Sequence, residues 1–124
     1  MTAEPRRRGR LSRSGDFDRV YRDGRSHANR FLVLYAFPRP ETSGDETRLG
    51  TSVGRKVGGA VSRNAVKRAL RESFWDLADE LPDGHDFVIV ARPDSAGLVE
   101  REGTTGVGVA LRELIVEATP ERKT

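Results

Sequence analysis

The chain has 124 residues, which fits one domain with a hydrophobic core of its own. It contains no cysteine, so disulfides, thiol catalysis and cysteine-based metal sites are excluded, and the composition fits a reducing cytoplasm. The net charge is only +3, but residues 55–71 carry six basic and no acidic side chains, whereas residues 72–124 carry five basic and twelve acidic ones. This segregation indicates a polyanionic partner rather than a basic face kept only for solubility.

The N-terminal segment "MTAEPRRRGR" is polar, basic and contains proline. This composition predicts a flexible arm over residues 1–9, and the polar end predicts a flexible tail over residues 119–124. No apolar signal segment follows the arm, and the longest apolar run, "FLVLYAF", is too short for a bilayer, which needs about 20 residues. We therefore expect a soluble, cytoplasmic protein with one folded domain over residues 10–118 and no membrane partner.

A short helix is predicted after the arm, with Ser14 as its N-cap and Gly24 at its end. Phe17, Val20 and Tyr21 recur in it at helical spacing, which is most often the pattern of a core-facing helix.

Three strands are predicted next. A short one within "SHANR" precedes a longer apolar strand in "RFLVLYAFPRP", which its prolines end. The segment "TRLGTSVGRK" is expected to pair back onto that strand as a hairpin.

The following helix is predicted to begin with Ser62 as N-cap and to end near Pro82 and Gly84. It is amphipathic at 100° per residue. Its apolar face comprises Val66, Ala69, Leu70, Ser73 and Leu77, and its basic face Asn64, Lys67, Arg68 and Arg71, with Arg63 at the margin. Like charges three and four residues apart repel each other, so the clustering is favourable when phosphates lie against the face.

The last elements are a strand at "HDFVIVARP" and a closing helix at "VGVALRELIVEA", with "GTTGVGVA" interpreted as a turn. The order α-β-β-β-α-β-α predicts an α+β fold, a small sandwich with about four strands in a mixed sheet and helices packed on it. The strand-helix-strand unit implies one parallel pair, whose crossover is right-handed under the general rule.

Several polar residues carry no predicted chemistry. His27 and His85 lack metal-ligand spacing and are interpreted as structural. The acidic residues that follow the basic helix fit a solvated helix end better than a metal site, so no protein metal site is predicted. Trp75 is interpreted as the edge of the core rather than as a surface for RNA.

The segment "SVGRKVGGAVSRNAVKRALRESF" closely resembles the signature of the bacterial ribonuclease P protein family. The resemblance extends to "GDFDRVYRDGRSHANRFLVLYAF" and "DFVIVARP", and covers roughly residues 10 to 117. One departure is Ala65, which stands where the family usually has arginine.

The resemblance implies a fold like domain 2 of ribosomal protein S5, with a left-handed strand-helix-strand crossover. It implies endonucleolytic removal of the 5′ leader from precursor tRNA by an RNA subunit that holds the catalytic centre and Mg²⁺. The protein, which has no catalytic residue and no small-molecule substrate of its own, would bind that RNA and the leader. By motif match, the RNA-subunit contacts are Arg55, Lys56, Arg63, Asn64, Lys67, Arg68 and Arg71, and the leader cleft comprises Phe17, Tyr21, Arg30 and Tyr35.

Two other functions stay open from the residues alone. A general RNA-binding protein, similar to a ribosomal protein, would share the basic face without any role in cleavage. A protein-only nuclease would need a general base or a carboxylate metal site, and the basic segments offer neither.

Overall fold

The computed structural model describes residues 8–40 and 44–118. Within them, five strands form one mixed sheet in the order β1-β4-β5-β3-β2, with three α-helices packed on it. The strands are β1 Arg8–Arg10, β2 Arg25–Ala28, β3 Leu32–Pro38, β4 Thr47–Val53 and β5 His85–Ala91. The helices are α1 Ser14–Asp23, α2 Ala60–Leu77 and α3 Ser95–Ala118, with short 3-10 turns at Arg55–Val57 and Ala78–Glu80.

The sheet has a fully covered face and a partly covered face. Alternate residues of β3 and β5, such as Leu34 and Ile89, are buried under α2 and α3 and form the main core. Among the described helices, only α1 covers the opposite face, over a smaller cluster of Leu11, Val20 and Val88. Because α1 is only ten residues long, part of this second face stays accessible beside it.

The predicted hairpin between the second and third predicted strands is wrong. β5 lies between β3 and β4, antiparallel to β3 and parallel to β4. The successive residues Phe87, Val88 and Ile89 are all buried, so β5 is apolar on both faces and takes the central position. The predicted parallel pair across the basic helix is confirmed by β4 and β5; the handedness of that crossover stays a prediction.

A fifth strand adds to the expected four. Arg8–Arg10 pair in parallel with β4, and the amide of Leu11 donates to the carbonyl of Leu49. Three polar residues are too few for a periodic pattern, so local sequence does not indicate this strand. The predicted arm over residues 1–9 therefore overlaps β1 at its last two residues. Residues 1–7 and the predicted tail over residues 119–124 lie outside the described residues.

The ends of α1 and α2 differ from the expected caps. α1 begins at Ser14 itself, with Arg13 as N-cap, whereas its predicted end at Gly24 is confirmed by a bond from the Gly24 amide to the Val20 carbonyl. α2 begins two residues before the predicted cap Ser62, and Gly59 is its N-cap.

The predicted turn at "GTTGVGVA" is wrong beyond its first residue, because residues 104–110 are helical within α3. α3 is kinked at Gly103, whose φ of 63° favours glycine, and it continues to residue 118. A Cβ on Gly108 would lie 3.8 Å from the Ser73 hydroxyl of α2, which is an ordinary van der Waals distance, so α3 packs closely against α2 at this point. Tertiary packing thus overrides the low helix propensity of glycine. None of the described helices is both long and apolar enough to cross a membrane.

Candidate nucleic-acid interface

A basic surface is formed by the 3-10 turn before α2 and by the outer side of α2. The apolar side of α2 is buried as predicted, and this burial fixes which side faces solvent. Most of the predicted side chains on the outer side are exposed, and Arg63 and Lys67 are half-buried. The basic surface consists of Arg55, Lys56, Arg63, Asn64, Lys67, Arg68 and Arg71.

The charges of the basic surface are not neutralised by any carboxylate that the structure describes. Among the described residues, ion pairs hold arginines elsewhere, such as Arg30, Arg48 and Arg112, but none of the six cations of the basic surface. Adjacent uncompensated cations repel one another, and this repulsion is relieved when an anion binds.

The N-terminus of α2 points its amides into the same region. Gly59 has no side chain that could cap the first turn, so the positive end of the helix dipole stays available to an anion. The Nε atom of Arg63 is buried without a hydrogen-bond partner among the described residues, while the side chain as a whole is half-buried. A phosphate at this helix end would find donors from the backbone amides.

An aromatic cleft lies on the partly covered face of the sheet. The structure brings Phe17, Tyr21 and Tyr35 together: the ring centroids of Phe17 and Tyr21 are 6.2 Å apart, and those of Tyr21 and Tyr35 are 4.9 Å apart at an edge-to-face angle of 71°. Tyr21 is 38% exposed. The three rings therefore combine packing against α1 with an accessible stacking surface.

The Tyr21 phenol is partly buried in the aromatic cleft. Burial raises the pKa of the phenol above the ordinary value, more than a hydrogen bond with Ser52 lowers it. The phenol therefore stays neutral at physiological pH and does not repel RNA. Gly50 makes room for the Phe17 ring, because a Cβ on Gly50 would lie 2.6 Å from that ring.

Arg30 lies apart from the aromatic cleft. Its Nε donates to Asp94 Oδ2 at 2.8 Å, and its guanidinium lies 5.5 Å from the Phe31 ring centroid. Arg30 lies in the turn before β3, whereas Tyr35 lies within β3. The structure thus does not bring Arg30 into contact with the three aromatic rings.

The two histidines and Glu80, which follows α2, have partners within the protein. His27 Nδ1 lies 3.5 Å from a Glu117 carboxylate oxygen, and His85 Nδ1 lies 2.9 Å from the Asp83 carbonyl. Glu80 accepts a hydrogen bond from Arg112. In residues 8–40 and 44–118, no group of three or more acidic or histidine side chains is arranged to hold a metal ion.

Two supporting clusters were missed from the sequence. Asp86 is buried and accepts hydrogen bonds from Arg39 and Arg48, each at 2.7 Å. The only signal was one carboxylate in an otherwise apolar strand. Asn29 accepts bonds from the amides of residues 31 and 32 and donates to the Ala110 carbonyl, which ties the β2–β3 turn to α3.

Comparison with known proteins gives consistent matches. The family model for ribonuclease P matches residues 6–114. The ribonuclease P protein component of Bacillus cereus strain ATCC 14579 is 36% identical over 102 residues, covering 82% of this chain and 84% of the relative. Among solved structures, the RNase P protein of Staphylococcus aureus superposes with a TM-score of 0.77 at 33% identity, covering 89% of this chain and 94% of that one. The RNase P protein from Thermotoga maritima superposes with a TM-score of 0.73 at 32% identity, covering 84% of this chain and 92% of that one.

Proposed function

The chain belongs to the ribonuclease P protein family, and we propose that its basic surface binds the RNA subunit of ribonuclease P while its aromatic cleft binds the 5′ leader of precursor tRNA. As a protein component of ribonuclease P, it is a subunit of an endoribonuclease complex and takes part in the 5′ maturation of tRNA. The proposal assigns a separate RNA segment to each of the two surfaces.

The absence of ion pairs between the basic surface and the described carboxylates is the observation that carries the proposal. Six cations gathered without a compensating carboxylate among the described residues are costly in the free protein and favourable against a phosphate backbone. Asn64 adds a neutral donor and acceptor for a sugar or a base edge. The uncapped start of α2 adds backbone donors for one further phosphate.

The catalytic centre and its Mg²⁺ ions are assigned in this proposal to the RNA subunit. Mg²⁺ prefers oxygen ligands such as carboxylates and phosphates, and the surfaces assigned to RNA present cations, an amide and aromatic rings. The protein would contribute by neutralising phosphates and by holding the leader, which raises substrate affinity. This role implies a cytoplasmic location, together with the RNA subunit and precursor tRNA.

The aromatic cleft suits a single strand. Unpaired bases stack on aromatic rings, and each such contact contributes about 1–3 kcal/mol with little sequence preference. Tyr21 and Tyr35 offer partly accessible rings with polar tips. Arg30, which is exposed and held by Asp94, would contact the leader beyond the rings rather than within the cleft.

The experiment is cleavage of precursor tRNA by a bacterial ribonuclease P RNA at low Mg²⁺, with and without this protein. We expect cleavage at the 5′ end of the mature tRNA only when both are present, because the protein neutralises phosphates that Mg²⁺ would otherwise screen. A protein that binds the RNA without changing cleavage would favour the alternative, a general RNA-binding protein. Cleavage by the protein alone would overturn the assignment of the catalytic centre.

A further inference from the structure

Trp75 stands on α2 one turn after Arg71, and it is the only tryptophan of the chain. One part of its ring packs on the main core, where it meets the buried Phe74 edge-to-face at a centroid distance of 4.9 Å. The guanidinium of Arg8, from β1, lies 4.9 Å from the centroid of the Trp75 ring. The indole is thus half-buried, with an arginine over it.

A groove with a volume of about 300 Å³ opens beside this ring, between β1 and α2. Two aromatic residues and three cations line it: Phe17 and Trp75, with Arg10, Lys67 and Arg71. Its floor includes Gly50 and Thr51 of β4, beyond the point where β1 stops pairing. Among the described residues that line the groove, none is acidic.

A second, more open depression lies on the other side of Trp75, where Glu72 and Asp76 offset the charges of Arg8 and Arg71. The Glu72 carboxylate accepts a hydrogen bond from Thr104 of α3 at 3.4 Å. Carboxylates repel phosphates, so an RNA backbone is disfavoured on this side. Arg10 and Lys67 line the groove but not this depression, and Arg71 lines both. The excess of positive charge in the groove therefore favours a phosphate there.

We propose that this groove binds one nucleotide of single-stranded RNA, with its base stacked on Trp75 in place of the Arg8 guanidinium and its phosphate against Lys67 and Arg71. This inference rests on the proposed function, and it adds a base contact near the end of α2 to the phosphate contacts at its start. The nucleotide belongs either to the RNA subunit or to the leader.

The exchange at Trp75 is favourable on two counts. A cation over a half-buried ring such as Trp75 is held more weakly than a base stacked on that ring. The displaced Arg8 then becomes free to pair with a phosphate, which releases counterions. An acidic peptide would satisfy the cations but would gain less from the indole face, so the stacking surface favours RNA.

The fluorescence of Trp75 can be used to monitor this groove, because the chain has no other tryptophan that contributes to the emission. We would titrate the protein with ribonuclease P RNA, then titrate the assembled complex with precursor tRNA that carries a leader, following tryptophan emission and, in parallel, filter binding. Quenching in the first titration assigns the nucleotide to the RNA subunit, and quenching only in the second assigns it to the leader. Binding without any change in emission would overturn the inference but leave the proposed function intact, whereas no binding would overturn the proposed function itself.

Two variants separate stacking from packing. Trp75→Phe keeps an aromatic face, and Trp75→Leu keeps apolar contact with the core but removes that face. We expect the Leu variant to bind the assigned RNA about tenfold more weakly and the Phe variant to recover most of that loss, with both melting cooperatively. Equal affinity of the Leu variant and the wild type, or quenching by polyglutamate as strong as that by RNA, would contradict the inference.

Discussion

Tyr35 serves packing and recognition with the same ring. It packs against the small cluster around Val20 and Val88 and meets Tyr21 edge-to-face. Aromatic pairs of this kind add about 0.5–1.5 kcal/mol beyond their buried area. The ring position is therefore set by α1 and β3 before RNA arrives, which lowers the entropy cost of stacking a base on it.

Tyr35→Ala should weaken the binding of precursor tRNA that carries a leader by about 5- to 150-fold, because one stacked base contributes about 1–3 kcal/mol. Binding of mature tRNA, which has no leader, should not change. The affinities would be measured with the assembled ribonucleoprotein, using Tyr35→Phe as the control that retains the ring. Equal losses for both RNAs would remove the leader from the aromatic cleft.

Ala65 is the position where a single residue departs from the family signature. It is exposed on α2, between Asn64 and Val66, so a longer side chain has room in solvent. Ala65→Arg should raise the affinity for ribonuclease P RNA and steepen its salt dependence by about one phosphate contact. Ala65→Gln, which is nearly as long but uncharged, is the control. If both variants bind like the wild type, no phosphate lies within reach of position 65.

At the scale of elements, α2 was the most predictable part of the chain. The burial of Val66, Leu70 and Ser73 follows directly from helical periodicity. The start of α2 was less predictable. The chain turns into the helix at Gly58, whose φ is 155°, and Gly59 occupies the N-cap position that was predicted for Ser62. Local pattern thus located the basic surface, but it placed the start of the helix beside it two residues too late.

The pairing of the strands could not be predicted from the local sequence pattern. The sequence patterns of β3 and β4 each predict a strand. Their common partner β5, however, begins more than thirty residues after the end of β4. Pairing depends on which strand can be buried on both faces, and that is a property of the whole sheet. For the same reason, no local pattern indicated β1 or the contact of Arg8 with Trp75.

Reversing the charge of Arg68 on α2 tests whether the basic surface contacts phosphates. Arg68→Glu should weaken binding to ribonuclease P RNA and flatten the plot of log affinity against log salt, by about one unit of slope for each phosphate that the protein no longer neutralises. Arg101→Glu, an exposed reversal of the same size on α3, is the matched control and should leave the slope unchanged. A slope that is equally reduced in both variants would indicate a general charge effect rather than a defined RNA surface.

At the scale of the whole molecule, a buried ionic cluster joins three parts of the chain. Asp86 of β5 is 1% exposed and bonds Arg48 of β4 and Arg39, which follows β3. Arg39 also donates to the backbone carbonyls of Gly44 and Glu46. The cluster therefore holds one end of the central strands β3, β5 and β4 together, and these strands carry Tyr35 of the aromatic cleft and lead into the basic surface.

The protonation of Asp86 couples this cluster to pH. Burial alone would raise the pKa of its carboxyl, but hydrogen bonds from Arg48 and Arg39 outweigh burial and lower the pKa below the ordinary value. A carboxyl whose pKa is lower in the folded than in the unfolded chain stabilises the fold above the unfolded pKa, near ~4. That contribution is lost as the pH falls from there through the folded pKa.

Asp86→Asn should lower the free energy of unfolding at neutral pH by about 3–5 kcal/mol, because it leaves the buried guanidinium of Arg39 without a countercharge. Urea unfolding at a series of pH values would measure the loss. It should shrink as the pH falls from about 4, where the carboxyl of the unfolded wild type takes up a proton, through the lower pKa of the folded wild type. Asp94→Asn removes the exposed partner of Arg30 and is the control, since exposed ion pairs contribute little. A difference between Asp86→Asn and the wild type that stays constant down to pH 2 would show that the carboxylate charge is not what stabilises the fold.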